Sequence, residues 1–294
     1  FYDGGVFYEY ARHATNPKKI IEKLFADFLK KGGVFKKINI KNINFQDQKP
    51  ILITENDKLL FDKVVIACGA FSKKFTDKLD EKIPLDTERG YHIHFKNYSN
   101  LLSRPVVWAD RGFGITPMEQ GLRVVGTVEF GGLENPLSKS RIKNLILNAK
   151  DMLNGLPENE DHEDEWLGFR PTLPDFLPVI GKSKNYNNVY YSFGHHHLGW
   201  TLGAISGKIV SKMIVGEKTN LDLSIPLDKE HQLELKKIGN ENIPFVYVRD
   251  GIEGFISRSV YYSLIDIALS QENDSSGELI LKSFNCLFSL GEVA

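Results

Sequence analysis

The sequence is poor in cysteine, has no excess of charge of either sign, and lacks a long apolar run. Cys68 and Cys286 are its only cysteines, which excludes a disulfide framework and a Cys-x-x-Cys metal site and favours a reducing compartment, the cytoplasm. Lys plus Arg (37) balance Asp plus Glu (38), so nucleic acid is not an expected partner. The longest weakly charged helical stretch, 199–216, contains Lys208 and Lys212. A membrane span is therefore not expected, and peripheral contact with the inner membrane stays open.

The sequence contains no internal repeat and no low-complexity tract, and its first residues do not have the pattern of a signal peptide. The stretch "FYDGGVFYEYARHATNP" has neither a basic start nor an apolar run, and its first residue is Phe1. We expect the sequence to begin within a longer protein. With 41% hydrophobic and 26% charged residues over 294 positions, the chain is long enough for one large domain or two ordinary ones.

The first third of the chain predicts a helix, short strands and a buried strand. In "TNPKKIIEKLFADFLKKGG", Asn16 or Thr15 caps a helix, Pro17 suits its first turn, and Gly32 ends it. Short strands are predicted near 34–43 and 51–54. The apolar run 64–67 in "LLFDKVVIACGAFS" predicts a strand buried on both faces, and ligands gather at the carboxyl ends of such strands.

From about residue 84 the pattern changes to alternating strands separated by turns. The stretches "RGYHIHF", "RPVVWAD", "GFGITPM" and "GLRVVGTVEFGG" predict an antiparallel sheet. A helix is predicted from 138 to about 153, and the acidic run 158–165 is interpreted as a solvated loop. A strand "NVYYSF" and a helix from Gly199 follow. The sequence thus predicts a fold that mixes helices with sheets.

The stretch 189–215 is the most informative for function. A strand leads into Gly194-His195-His196-His197-Leu198-Gly199, and a helix starts at once. The free N–H groups and the dipole at a helix start favour negative charge, and glycines allow close approach of a ligand. Packing alone is an alternative explanation of the glycines. Zinc binding by the three histidines is a further alternative; we expect adjacent histidines to point in different directions and to be lining or turn residues, with no metal.

Arg170 and Tyr91 are the candidate substrate-binding residues. Pro171 keeps Arg170 extended, and a guanidinium fork can hold a carboxylate through two parallel hydrogen bonds. A surface ion pair with Glu165 or Asp175 is the alternative for Arg170. Tyr91 can donate to a bound carboxylate or serve as cross-strand packing, and alternation places Tyr91 and Ile93 on one face of the strand and the histidines on the other.

These pieces resemble the FAD-dependent D-amino-acid oxidase superfamily, and within it the branch of the D-amino-acid dehydrogenase small subunits. The resemblance rests on "VVIACGAFS", "PLDTERGYHIHF", "RGFGITPMEQGLRVVGTVEFGG", "WLGFRPTLPDFLPVIG" and "GHHHLGWTLGAISGKIVSKMI", which occur in family order between residues 1 and 222. It implies a partial Rossmann-like FAD domain (15–81 and 171–222), an antiparallel substrate domain (82–170) with an edge segment at 1–14, and an unassigned tail (223–294).

The resemblance also implies roles for particular residues. Arg170 would pair with the substrate carboxylate, Tyr91 would assist it, and FAD would be the cofactor. The implied FAD-binding residues are Cys68 and Gly69 near the adenine-ribose part, and Gly194, His195, Leu198, Gly199, Trp200 and Thr201 beside the isoalloxazine ring. Hydride leaves the α-carbon for the flavin, so that orientation does most of the catalytic work.

The expected activity is oxidative deamination of a D-amino acid, with a quinone or another acceptor taking the electrons. An oxidase for glycine, sarcosine or a cyclic imino acid is the alternative within the superfamily, and a non-catalytic subunit or inactive fragment is the alternative outside it. The Gly-x-Gly-x-x-Gly fingerprint of a dinucleotide-binding domain is absent, so we expect this chain alone to bind FAD poorly.

Overall fold

Helix α1 (Pro17–Lys30) has the bounds and the cap that the sequence predicts. The computed structural model describes residues 4–9, 11–157 and 162–219. The unassigned tail at 223–294, whose sequence predicts a short strand at 245–248 and a helix at 257–269, lies outside the described residues. Asn16 accepts a hydrogen bond from the backbone N–H of Lys19 at 3.1 Å. None of the residues of α1 is buried, and Leu24 on its apolar face is 62% exposed. The described part of the chain therefore leaves the apolar face of α1 uncovered.

A small antiparallel sheet follows α1. Its strands β1 (Asn42–Gln46), β2 (Lys49–Ile53) and β3 (Lys58–Leu60) lie in chain order. The strand predicted near 34–43 is wrong in its bounds, because pairing begins only at Asn42, which lies opposite Ile53.

The largest sheet has five antiparallel strands and confirms the alternating pattern of the sequence. They are β5 (Asp86–Phe95), β6 (Val106–Trp108), β7 (Phe113–Met118), β8 (Gly121–Glu129) and β9 (Glu163–Thr172), in the order β6-β7-β8-β5-β9. β9 begins inside the acidic run, so the loop predicted there is wrong for Glu163 to Glu165. Pairing with β5, in which Glu163 lies opposite His94, extends the strand into this charged segment.

One face of the five-stranded sheet is covered by helix α3 (Lys139–Met152). Ile142, Leu145, Ile146 and Ala149 of α3 are buried against it, as their spacing predicts. The sheet contributes alternate residues of β5, β7 and β8 to this core, namely Tyr91, Ile93, Phe95, Phe113, Ile115, Leu122 and Val124. The opposite face of the sheet is therefore free to form a site.

The third sheet is mixed, and its strands come from segments that precede and follow the large sheet in the sequence. β4 (Val64–Ile66) pairs in parallel with β11 (Val189–Phe193), and β10 (Val179–Lys182) pairs antiparallel with β11. The short helix α2 (Lys73–Thr76) follows β4, and α4 (Gly199–Val215) follows β11. Val65 of β4 is 38% exposed, so the prediction of a strand buried on both faces is wrong for the described residues. The core of this region comprises Ile43, Ile66, Phe75, Leu79, Leu85, Leu173, Val189, Tyr191 and Phe193.

The mixed helix-and-sheet fold class is confirmed, whereas the division into domains stays a prediction. Among the described helices, none combines the length and the apolar character needed to cross a membrane.

Candidate functional site

The candidate site is a pocket of about 200 Å³ on the face of the large sheet opposite α3. The register of β5 and β9 places Gly90 opposite Gly168, with Glu88 opposite Arg170 on one side and His92 opposite Trp166 on the other. The two facing glycines leave room above the sheet for side chains from neighbouring positions, because neither glycine carries a side chain of its own. The residues around the pocket are Gly90, His92, Arg123, Val125, Trp166, Gly168, Phe169, Arg170, Pro171 and His196.

The Arg170 side chain lies directly over Gly90. It is 8% exposed, and its Nη1 donates to the carbonyl oxygen of Thr127 at 3.3 Å. A Cβ atom at position 90 would lie 2.2 Å from Nη2 of Arg170, so only glycine leaves room for the guanidinium there. Arg170 is therefore not a surface residue, and Glu165, one of the two ion-pair partners considered above, is instead paired with Lys139 and His162.

The other end of the pocket is aromatic. The rings of His92 and Trp166 stack with centroids 4.6 Å apart, and the Trp166 ring extends over Gly168. Burial, helped by the charges of Arg123 and His94, lowers the pKa of His92 to about 3. His92 is therefore neutral at pH 7, and the two arginines carry the charge of the pocket wall. None of the described residues that line the pocket is acidic.

Two of the three consecutive histidines meet at Glu88. Nε2 of His196 and Nε2 of His197 lie 3.0 Å and 3.5 Å from Oε2 of Glu88. The expectation that neighbouring histidines point in different directions is wrong for this pair, because His196 has a left-handed backbone (φ 51°) that turns its ring toward the same carboxylate. Burial would raise the pKa of Glu88, but the contacts with His196 and His197 outweigh it and hold that pKa well below its usual range. Burial lowers the pKa of His197 to about 4, against the opposing contact with Glu88.

Tyr91 lies on the opposite face of the sheet from Arg170, in the core beneath α3. It is fully buried, and its hydroxyl donates to Glu129. The predicted alternation of side chains along β5 is confirmed, and this alternation keeps Tyr91 out of the pocket, so the structure does not bring it together with Arg170. The expectation that Tyr91 contacts a carboxylate held by Arg170 is therefore corrected, because the sheet itself separates the two side chains.

The turn after β4 lies next to the pocket. β4 and β11 run in parallel, so that Cys68 and Gly69 after one strand and Gly194 after the other lie at the same edge of their sheet. The ring of Phe71 packs edge-on against Phe169, a pocket residue, with centroids 5.9 Å apart. The structure thus brings the predicted strand-end turns close to the pocket of Arg170.

The start of α4 is the second region predicted to bind the cofactor. His196 lines the pocket and Leu198 precedes the helix without a capping hydrogen bond from its side chain. Gly199 and Trp200 are exposed, and Thr201 is partly exposed. His195 points elsewhere: its Nε2 lies 2.8 Å from the hydroxyl of Ser206, which itself donates to the carbonyl of Leu202.

Sequence reasoning missed several residues of this site, namely Glu88, His92, Arg123 and Trp166. Glu88 and His92 lie two residues before and after Gly90, so the alternation of side chains along β5 was sufficient to place them on the same face as the pocket. The signal for Arg123 and Trp166 is absent from the sequence, because it requires the pairing of β5 with β8 and β9.

Comparison with known proteins assigns most of the chain to one family. Residues 1–213 match the model of the FAD dependent oxidoreductase family (DAO). Residues 211–290 match the C-terminal domain of a protein family of unknown function (DUF1285), a relationship that the sequence reasoning above did not find.

Individual relatives carry names of amino-acid oxidoreductases. A D-amino-acid oxidase of Bradyrhizobium diazoefficiens is 29% identical over 226 residues, which are 76% of this chain and 54% of that protein. A D-amino acid dehydrogenase of Neisseria gonorrhoeae is 32% identical over 180 residues, 58% of this chain and 42% of that protein. The crystal structure of glycine oxidase from Bacillus cereus superposes with a TM-score of 0.56 at 25% identity, covering 64% of this chain and 52% of that one.

The chain spans about half the length of the curated relatives that it matches. The family match nevertheless covers well over half of this chain and includes both the pocket and the start of α4. The chain therefore belongs to the DAO family of FAD-dependent oxidoreductases.

Proposed function

We propose that this chain supplies the substrate-binding surface of a flavoenzyme that oxidises the Cα–N bond of a small D-amino acid. One observation carries the proposal: the buried guanidinium of Arg170 and the turn that leads into α4 lie at the same pocket. A carboxylate held by Arg170 has its α-carbon directed into the space between that guanidinium and the start of α4.

The charges of the pocket favour an anionic ligand group. Arg123 and Arg170 line the pocket, and burial keeps His92 neutral. A guanidinium in a site with little water binds a carboxylate through two parallel hydrogen bonds, which are stronger than hydrogen bonds between neutral groups. The α-carboxylate of an amino acid is such a group.

The size of the pocket favours a small ligand. Its volume of about 200 Å³ lies below the range of roughly 300–1,000 Å³ that is usual for ligand pockets. The Trp166 ring over Gly168 and the stacked His92 ring close the end opposite Arg170. We therefore expect amino acids with short side chains to be preferred.

The described residues fit the flavin end of FAD. The first N–H groups of α4 have no side-chain cap, and these donors together with the helix dipole favour a ring that becomes anionic on reduction. FAD, when bound, accepts the hydride that leaves the α-carbon. The proposed contacts of this chain are the strand-end turns at Cys68, Gly69 and Gly194, and the helix start at Leu198, Gly199, Trp200 and Thr201. His195, whose ring contacts Ser206, would support this turn.

Replacement of Arg170 tests the proposal. In the flavin-loaded protein, Arg170→Leu should lower kcat/KM for D-alanine about 30- to 5,000-fold, because a charged hydrogen-bonded pair is lost. This factor corresponds to a loss of about 2–5 kcal/mol in transition-state stabilisation. Arg111→Leu is the matched control, since Arg111 is an exposed arginine that pairs with Asp151 outside the pocket. Full activity of Arg170→Leu would show that Arg170 does not hold the substrate carboxylate, whereas absence of turnover by the flavin-loaded wild-type protein would favour a non-catalytic subunit.

The relative named glycine oxidase and the small pocket support a second candidate, an oxidase for glycine or an N-alkyl glycine. Steady-state assays with D-alanine, D-proline, glycine and sarcosine separate the two candidates. Turnover of glycine and sarcosine without turnover of D-alanine would replace the first candidate by the second. The same assays with a quinone or with oxygen as electron acceptor decide between a dehydrogenase and an oxidase.

A further inference from the structure

Glu88, His196 and His197 form a compact group of metal-binding side chains next to the pocket. One ligand atom from each of them lies within 4.8 Å of the others. The described residues contain no second group of this kind. Glu88 comes from β5 and the histidines from the turn before α4, so that two separate elements of the fold supply the ligands.

The spacing of the ligand atoms suits a tetrahedral metal ion. Zinc bonds of about 2.0–2.1 Å at tetrahedral angles separate the ligand atoms by about 3.3–3.4 Å. The distances from Oε2 of Glu88 to the two imidazole Nε2 atoms, 3.0 Å and 3.5 Å, lie on either side of this value. Two imidazoles and one carboxylate are also a common donor set for zinc, which leaves a fourth position for water or another ligand.

The state of His196 adds an independent reason. Its Nε2 is buried and makes no hydrogen bond of acceptable geometry with the described residues, although it lies close to Glu88. Leaving a buried polar nitrogen unsatisfied costs about 1–3 kcal/mol. A metal ion placed between Nε2 and the carboxylate would use this lone pair.

The group is held in place by its surroundings. The side chains of Glu88, His196 and His197 are only 9%, 13% and 12% exposed. The Phe176 ring packs edge-on against His196 with centroids 4.7 Å apart. Ligands that are ordered before binding lose little conformational entropy when the metal arrives.

We propose that Glu88, His196 and His197 bind a zinc ion. The affinity should be lower than that of a four-ligand structural site, because the protein supplies three ligands and the positive charge of Arg170 lies near the group. Zinc binding at this position is independent of the proposed oxidation of amino acids, so each can fail without the other.

Metal binding by the purified, chelator-treated full chain without a histidine tag tests the proposal. Equilibrium dialysis against zinc should show one ion bound per chain, and Glu88→Gln should weaken that binding at least ~10-fold, through loss of an anionic ligand. His196→Gly should do the same without disturbing the backbone, since glycine readily adopts a φ of 51°. His162→Gln is the matched control, because His162 contacts Glu165 outside the group and its replacement should leave zinc binding unchanged.

Cobalt supplies a readout on the unaltered protein. Co²⁺ bound at the three side chains should give the visible absorption of four-coordinate cobalt, and zinc should remove it. Absence of zinc binding in the wild-type protein, or equal zinc binding by wild type, Glu88→Gln and His196→Gly, would overturn the proposal.

Discussion

The substitution Gly90→Ala tests whether the sheet positions the guanidinium of Arg170. The new Cβ would stand 2.2 Å from Nη2, 2.4 Å from Cζ and 2.6 Å from Nη1 of Arg170, whereas ordinary van der Waals contacts begin at 3.4 Å. Arg170 has a flexible side chain, so its guanidinium will move away and the backbone of β5 will stay in place. The displaced fork then loses its alignment with a bound carboxylate.

The expected loss follows from the hydrogen bonds involved. A hydrogen bond to a charged group contributes about 1.5–3 kcal/mol, so losing one of the two bonds of the fork should raise the Kd of a carboxylate about 10- to 150-fold. The free energy of unfolding should change by less than about 1 kcal/mol, the size of an ordinary Gly-to-Ala effect within a strand. Isothermal titration of the flavin-loaded protein with propionate, the desamino analogue of alanine, measures the first quantity, and urea unfolding measures the second.

Gly181→Ala is the matched control for this experiment. Gly181 also lies in a strand, β10, but a Cβ atom there has no heavy atom within 4 Å. Its replacement should leave both propionate binding and stability unchanged. If Gly90→Ala binds propionate as tightly as Gly181→Ala does, the guanidinium of Arg170 is not the group that holds the carboxylate.

Two further predictions concern stability. Leu145→Ala in α3, where the side chain is fully buried, should lower the free energy of unfolding by about 2–5 kcal/mol in urea titrations. Leu24→Ala in α1, where the side chain is 62% exposed, should change that free energy by less than about 0.5 kcal/mol. Equal losses in the two variants would contradict the packing of α3 and the exposure of α1. Burial, with the charges of Arg123 and His94, lowers the pKa of His92 in the folded state to about 3, below its usual value of 6.5. Between pH 6.5 and pH 3 only the unfolded chain binds this proton, so the free energy of unfolding decreases by about 1.4 kcal/mol for each unit by which the pH is lowered. From pH 7 to pH 5, His92→Gln should therefore lose about 2 kcal/mol less than wild type, and parallel losses would show that His92 is not held neutral.

Local signals in the sequence were sufficient for the elements that carry their own pattern. The ends of α1 were predicted from Asn16, Pro17 and Gly32, because a cap, a first-turn proline and a terminal glycine each act on the helix end next to them. Val65 shows the limit of such signals. An apolar run predicts that something covers the strand, but which face is covered depends on elements far away in the sequence, and the described residues leave that side chain partly exposed.

The charged segment before β9 shows a second limit. Glu163 to Glu165 have a low intrinsic preference for strands, yet they form the start of β9 because β5 offers backbone partners there and Lys96 and Lys139 neutralise Glu163 and Glu165. Tertiary pairing thus overrides a local preference that the sequence expresses clearly. Short-range patterns contain no information about that partner strand.

The pocket itself is a product of strand register. Gly90 lies opposite Gly168 and Glu88 opposite Arg170 only in the pairing that the structure shows. Side chains alternate between the two faces of a sheet, so a slip of β9 by one residue would turn Arg170 away from the pocket and toward the core beneath α3. Burying that guanidinium among apolar side chains would cost several kcal/mol, as would exposing the apolar residues that now face α3. The same hydrophobic pattern that stabilises the sheet therefore also fixes the position of Arg170 over the paired glycines.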